Sequence, residues 1–254
     1  MELLSSPYDL LSATVTGSGS DDQISLSPGL LLVGPLAQLV GSLVLLPWVP
    51  AHVQTSAKRT HKWRSTWLAR AAAGISGLLA VLALHQSFSL RTNLMYGSSQ
   101  MAVDLIMFSL GVHIAETLDM IIMRNFSLLA IHHIAVIATF AGALLSSKAI
   151  GFAVLTLVTE LNAVTNKTRI LHIISDANTL SLEYKINSYV NILTFFMRIL
   201  IIFWMNNQSI LYFVDEPCIF FGVCSIGILF VNMWNLTVFK TLFIRDILQK
   251  PKEH

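Results

Sequence analysis

Long apolar runs recur along this chain, and that feature limits it to very few folds. Read by hydropathy, the runs fall at 24–49, 67–88, 100–123, 126–145, 150–165, 188–205 and 217–239. Crossing the hydrocarbon core of a bilayer takes about 20 helical residues, a length most of these runs reach or approach. Hydrocarbon offers nothing to a backbone N–H or C=O, and a helix satisfies those groups within itself. Charged residues are only 12% of the 254, about half the fraction found in soluble domains. The expected fold is all-α, a polytopic membrane protein with about seven transmembrane helices. Pro28, Pro35 and Pro47 lie in the first run, so that helix should be kinked or short. The fifth run is short and is extended by letting Lys167 and Arg169 snorkel. Cys218 and Cys224 are too few for a disulfide framework or a zinc cluster and are read as small buried hydrophobes. Residues 1–23 carry no basic stretch and no long apolar core, so a polar tail is expected there rather than a cleaved signal peptide.

Charge orients the helices. The segment "AHVQTSAKRTHKWR" carries Lys58, Arg59, Lys62 and Arg64; Arg124, Lys167, Arg169 and Lys185 follow in later connections, and Lys240, Arg245, Lys250 and Lys252 end the chain. The opposite side receives Arg91 and Lys148, with Glu2, Asp9, Asp21, Asp22, Asp215 and Glu216. Seven spans put every basic-rich segment on one face, which is cytosolic by the positive-inside rule. The expected divisions are a lumenal polar tail (1–23), a first span with its basic loop (24–61), a membrane domain (62–243) and a cytosolic tail (244–254). That tail ends "KPKEH". Lys250 and Lys252, fifth and third from the end, resemble the dilysine signal by which a retrieval coat returns membrane proteins to the endoplasmic reticulum. An ordinary solvated basic end is the other reading. No nucleic-acid partner is expected.

Polar residues then stand out against this background. Ionisable groups inside a membrane are expensive, and each is a candidate functional group. The third span holds Asp104, His113, Glu116 and Asp119, the last three at i,i+3 spacing on one broad face. The stretch "LLAIHHIAVIATF" brings His132 and His133 into the fourth. Adjacent residues are about 100° apart on a helix, and Thr139 lies almost beneath His132, so His132 is favoured as the inward-facing member. The fifth span presents Thr159, Asn162, Asn166 and Arg169 as a stripe beside Glu160; the sixth presents Asn187, Asn191, Thr194 and Arg198; the seventh adds Asn232 and Asn235. At 1.5 Å per residue, Glu116 and the histidine pair lie about 8–10 Å in from the cytosolic side. The expected container is a cavity open to that leaflet, in which His132, His133, Glu116, Asn162, Asn191 and Arg198 bind lipid.

Interhelical hydrogen bonding is the alternative, worth on the order of 0.6 kcal/mol per bond in membranes. It is preferred for Asn187, Thr156, Thr194 and, against its place in that list, Asn191. It is a costly explanation for adjacent imidazoles beside a carboxylate and a guanidinium. His113, His132 and Glu116 could approach one another, but the chain has no H-x-x-x-H or H-x-x-E-H sequence, so no metal site is expected. No cofactor is expected either.

The ordered set formed by the HH pair, "TELNAVTNKTR" and "FFMRI" resembles the TLC-domain family, nearest its smaller TLC domain-containing members, over about 62–243. The resemblance implies six helices, spans two to seven, around a lipid-sized pocket with the first span packed outside. It places His132 and His133 at the family's paired-histidine position, and Glu160, Asn166, Arg169 and Arg198 at recurrent positions. In the ceramide synthases of this family the paired histidines serve acyl transfer from acyl-CoA to a sphingoid amine. Those enzymes continue with H-D-x-x-D-x-x-L-E-x-x-K. This chain has "LHIISDANTLSLEYK", without the aspartate after His172, and carries no homeobox-like insert. Two functions follow. The first is a lipid-binding or lipid-regulating membrane protein acting in lipid homeostasis or membrane composition. The alternative is an acyltransferase with acyl-CoA as substrate. There His132 or His133 is the general base, Glu116 or Asp119 orients it, and Arg198 pairs with an anionic group.

Overall fold

The computed structural model describes residues 24–124, 128–177, 181–215 and 219–248. Cys218, Lys250, Lys252, the tail at 1–23 and the Cys224 side chain lie outside that description. The described residues form nine α-helices: α1 (Gly29–Val44), α2 (Ala57–Gln86), α3 (Phe88–Thr92), α4 (Gln100–Ile122), α5 (Leu128–Ser146), α6 (Ile150–Val158), α7 (Leu161–Ile174), α8 (Leu182–Asp215) and α9 (Ile219–Phe243). A π-helical turn, Ile244–Leu248, follows α9. Five stretches among the described residues are long and apolar enough to cross a membrane: Ala57–Gln86, Gln100–Ile122, Leu129–Ser146, Leu182–Tyr212 and Ser225–Asp246. The protein is an all-α, multi-pass membrane protein.

Several boundaries differ from the sequence reading, each for a local reason. The first span shrinks to the 16 residues of α1, which tolerates Pro35, and ends before a 3-10 turn (Leu46–Trp48) that contains Pro47. The basic segment before the second span is largely helical. Ser56 caps it, its Oγ accepting from Arg59 N at 3.2 Å, which satisfies one of the free donors of a helix start. The fifth span is not one helix. It breaks at Thr159 and Glu160, where Asn162 N and Ala163 N turn to the carbonyls three residues back at 3.2 and 2.8 Å. Thr159 is buried, and protein cover is what permits irregular backbone in a membrane protein.

The chain divides into two compact units, 1–40 with 76–158, and 41–75 with 159–254. The first unit gathers its core from the second half of α2 and from α3 to α6, around Ala83, Leu90, Val103, Ile106, Phe140, Val154 and Leu157. Gly34 of α1 meets the backbone of Gly111 and Val112 so closely that a Cβ on either glycine would overlap main-chain atoms. Small residues allow this approach, and dispersion between bare backbones holds membrane helices together. The apolar side chains outside, such as Leu32, Leu36, Leu39, Leu78 and Ile134, are exposed. An apolar exterior of this extent marks a surface made for lipid.

In the second unit α7, α8 and α9 pack in sequence, and the chain before and at the start of α2 closes over the end of α7. Arg59 donates through Nε to the Ile174 carbonyl at 3.0 Å and pairs with Asp176. His52 Nε2 lies 2.9 Å from the Ser175 carbonyl, and Trp63 Nε1 donates to Ser175 Oγ at 3.2 Å. The following turn bonds the carbonyls of Leu171, His172 and Ile173, and these contacts supply partners to the next two carbonyls at the end of α7.

Candidate functional site

The first unit carries a histidine–carboxylate cluster between α4 and α5. His133 Nδ1 stands 3.6 Å from Glu116 Oε2, with the two side chains 7% and 16% exposed. The His113 ring lies 5.2 Å from that of His133 at an interplanar angle of 58°, and Phe140 closes on His113 edge-on at 5.9 Å. His113 is fixed from its own helix, Nδ1 lying 2.8 Å from the Ser109 carbonyl. His132 is half-buried, its ring 5.9 Å from that of His133. Burial therefore favours His133 over His132 as the inward member. Helical angle alone does not distinguish them, and the carboxylate on the neighbouring helix does. Asp119 is half-buried one turn beyond Glu116.

A carboxylate facing Nδ1 orients the imidazole and directs Nε2 away from it, the relation by which a base is held in one tautomer. The 3.6 Å separation is an ion-pair distance, longer than a hydrogen bond. The cluster can present an imidazole to a polar lipid group. Among the described residues no three His, Cys, Asp or Glu side chains come together to hold a metal ion.

The other expected residues fall in the second unit. Asn162 Nδ2 donates to Thr194 Oγ1 at 2.9 Å and to Asn191 Oδ1 at 3.3 Å; Thr165 Oγ1 donates to Asn191 Oδ1 at 3.0 Å; Asn187 Nδ2 donates to the Thr165 carbonyl at 3.1 Å. Asn191 has no exposed surface. Asn162 and Asn191 are thus engaged in joining α7 to α8, the hydrogen-bonding role the sequence had favoured for Asn187, Asn191 and Thr194 but not for Asn162. Glu160 sits in the turn before α7, and Asn166 is half-buried on that helix. Arg198 is half-buried on α8, and its Nε is enclosed without a hydrogen-bond partner among the described residues.

Two residues gain importance only in three dimensions. His113 was visible as an intramembrane histidine, but its stacking beside His133 depends on helix pairing. Asp246, expected in a cytosolic tail, accepts from Arg169 at 2.7 Å (Nε to Oδ2) and 2.9 Å (Nη2 to Oδ1) and is buried with it. The π-helical turn that carries it is a local form common at functional positions. Its one sequence signal is an acid set between Arg245 and Lys250 in a mostly basic stretch.

Fold and site define a class, an all-α multi-pass membrane protein in which a buried histidine faces a half-buried carboxylate between two helices. Among known proteins, the chain is 28% identical to TLC domain-containing protein 1 of Rattus norvegicus over 152 residues, 59% of this chain and 61% of that one. It is 28% identical to TLC domain-containing protein 1 of Homo sapiens over 61% of this chain and 64% of that one. It is 27% identical to TLC domain-containing protein 2 of Danio rerio over 206 residues, 79% of this chain and 82% of that one. The match spans less than two thirds of the rat and human proteins. The chain is similar in sequence to these TLC domain-containing proteins. No family model and no solved structure matches it.

Proposed function

We propose that this protein binds or regulates membrane lipids, acting in lipid homeostasis or membrane composition, with the histidine–carboxylate cluster engaging a lipid polar group. One observation carries the reading: His133, Glu116 and His113 are brought together inside an apolar helix pair, where ionisable groups are costly and a structural role does not require charge. Membrane lipids are the expected partners. The basic face and Lys250 and Lys252 support residence in the endoplasmic reticulum with a cytosolic retrieval signal.

The test compares unfolding temperature and co-purified lipids, by mass spectrometry, for His133→Ala, His132→Ala and the lipid-facing control Ile134→Ala. His133→Ala should alter the bound lipids and leave the fold intact. Lost stability with an unchanged lipid profile would make the pair structural and defeat the proposal. Acyl transfer is the second reading, favoured by Glu116 facing His133 Nδ1 as an orienting group faces a base. It requires that the purified protein consume acyl-CoA in the presence of a sphingoid amine or hydroxyl acceptor, and that His133→Ala abolish the reaction.

A further inference from the structure

Helices α8 and α9 carry an arrangement that the histidine cluster does not use. Phe195 lies against Phe239 with ring centroids 6.2 Å apart, and Ser209 Oγ is 2.8 Å from Ser225 Oγ. Both pairs fit one antiparallel register. That register sets Arg198 opposite Leu236, Asn235 opposite Ile199 and Asn232 opposite Ile202, with Asn206 one turn beyond. Between the two anchoring contacts, four side chains have enclosed polar atoms with no hydrogen-bond partner among the described residues: Arg198 Nε, Asn206 Oδ1, Asn232 Oδ1 and Asn235 Nδ2. The three asparagines are 8%, 4% and 4% exposed. From Arg198 to Asn206 is eight residues, about 12 Å along the helix.

Buried polar atoms left unpaired are expensive, and Arg198 adds a half-buried cation whose Nε is one of them. The sequence of α9 contains no acid, and Glu183 and Asp215 lie at the two ends of α8, more than twenty ångströms from Arg198 at about 1.5 Å per residue. Asp246 is taken by Arg169. Glu160 reaches the level of Arg198 from α7, since Asn162 bonds Thr194, but makes no ion pair with it among the described residues. Among the described residues the site therefore offers a cation without a counter-ion and several amides, whose oxygen and nitrogen can exchange by a flip of the side chain. We propose that Arg198, with Asn232 and Asn235 across the helix pair, binds an anionic group, a carboxylate or phosphate, such as the head of an amphiphile lying between α8 and α9. This rests on the lipid-binding reading and names a second polar site for it, wholly within α8 and α9.

The full chain in uncharged detergent tests this through its unfolding temperature with four probes: oleate, dioleoyl phosphatidic acid, inorganic phosphate and uncharged dioleoylglycerol. Oleate and phosphatidic acid at a hundredfold excess over their Kd should each raise it by roughly 5 °C. Dioleoylglycerol should not. An equal rise with inorganic phosphate would keep the anion site and assign its occupant to a free ion. Arg198→Met should abolish the response, and Arg198→Lys, which keeps the charge, should weaken binding about tenfold, the loss of one charge-assisted contact. Asn235→Asp places an anion beside the guanidinium, so it should raise the unfolding temperature without ligand and remove the response to every probe. An equal rise with dioleoylglycerol, no rise with any anion, or an unchanged response in Arg198→Lys and Asn235→Asp would overturn the proposal. His133→Ala separates the two readings. If it changes the bound lipids while the Arg198 variants respond as wild type, lipid binding stands and the α8–α9 site falls. If neither variant changes anything, both fall.

Discussion

Arg169 and Asp246 form the best-defined charged contact in the second unit, and their burial sets its consequences. The side chains are 5% and 2% exposed and meet through two parallel N–H···O bonds, the geometry in which a guanidinium matches a carboxylate best. Removing one partner of a buried pair leaves the other desolvated, at about 3–5 kcal/mol. Asp246→Asn should lower the unfolding temperature by roughly 10 °C, a drop of that size for a chain of this length. Replacing both, Arg169→Met with Asp246→Leu, should recover more than half the loss, because no charge is left uncompensated. A single variant within 2 °C of wild type would show the pair to be dispensable. Arg245 also reaches Asp246 Oδ1 at 3.1 Å but is 44% exposed, so Arg245→Ala should matter little. The sequence marks Asp246 only as an acid in a charged tail and does not join it to Arg169, because the two are 77 residues apart. His133 presents the opposite case. The histidines were conspicuous as ionisable residues in an apolar run, and only the choice between neighbours needed the partner helix.

Helices as elements were largely legible, because hydropathy reports them directly; their interruptions and contacts were not. The apolar run at 150–165 continues through Thr159 and Glu160, and nothing in its hydropathy announces that α6 stops at Val158. The α1–α4 contact was equally hidden. Gly34 and Gly111 are unremarkable in their own helices and become essential only when facing each other. A Cβ on Gly111 would overlap the Leu31 carbonyl oxygen, and one on Gly34 would meet Val112 N. Backbone cannot yield as a flexible side chain does, so the helices must separate. Overpacking of this kind typically costs about 1–3 kcal/mol. Gly111→Ala should lower the unfolding temperature by several degrees, on the order of 2–4 °C per kcal/mol. Gly227→Ala is the matched control: its Cβ meets nothing within 4 Å, and alanine is the better helix former by about 1 kcal/mol. It should be neutral or stabilising. Equal losses in both variants would show a general intolerance of substitution rather than a close helix crossing.

For the whole molecule the question is how many times the chain crosses the membrane, and two contacts within the second unit bear on it. Arg59, at the start of α2, bonds the carbonyl of Ile174, the last residue of α7, and pairs with Asp176 just beyond it, so those two points lie on one side of the bilayer. An even number of crossings must separate them. The long helices α2, α4 and α5 supply three, and the remaining crossing falls to the segment that contains α6 and α7, too broken to register as one span. Arg169, near the end of α7, reaches Asp246 just after α9. Two crossings, α8 and α9, separate that pair, which puts the end of α9 on the side of Arg59. The positive-inside rule makes that side cytosolic. With α1 taken as a short first crossing, these contacts and the charge rule predict seven spans, and α8, at 34 residues, extends well beyond an approximately 30 Å hydrocarbon core. A tag placed after His254 in sealed microsomes should therefore be digested by added protease, and Ser181→Cys should react with an impermeant maleimide from the same side. Lys148→Cys, in the short connection between α5 and α6, should react only after the membrane is opened. A protected tag together with a protected Ser181→Cys would mean that 150–174 does not cross, leaving Lys167, Arg169 and Lys185 on the lumenal side against the charge rule. The odd count would then have to come from the five long helices alone.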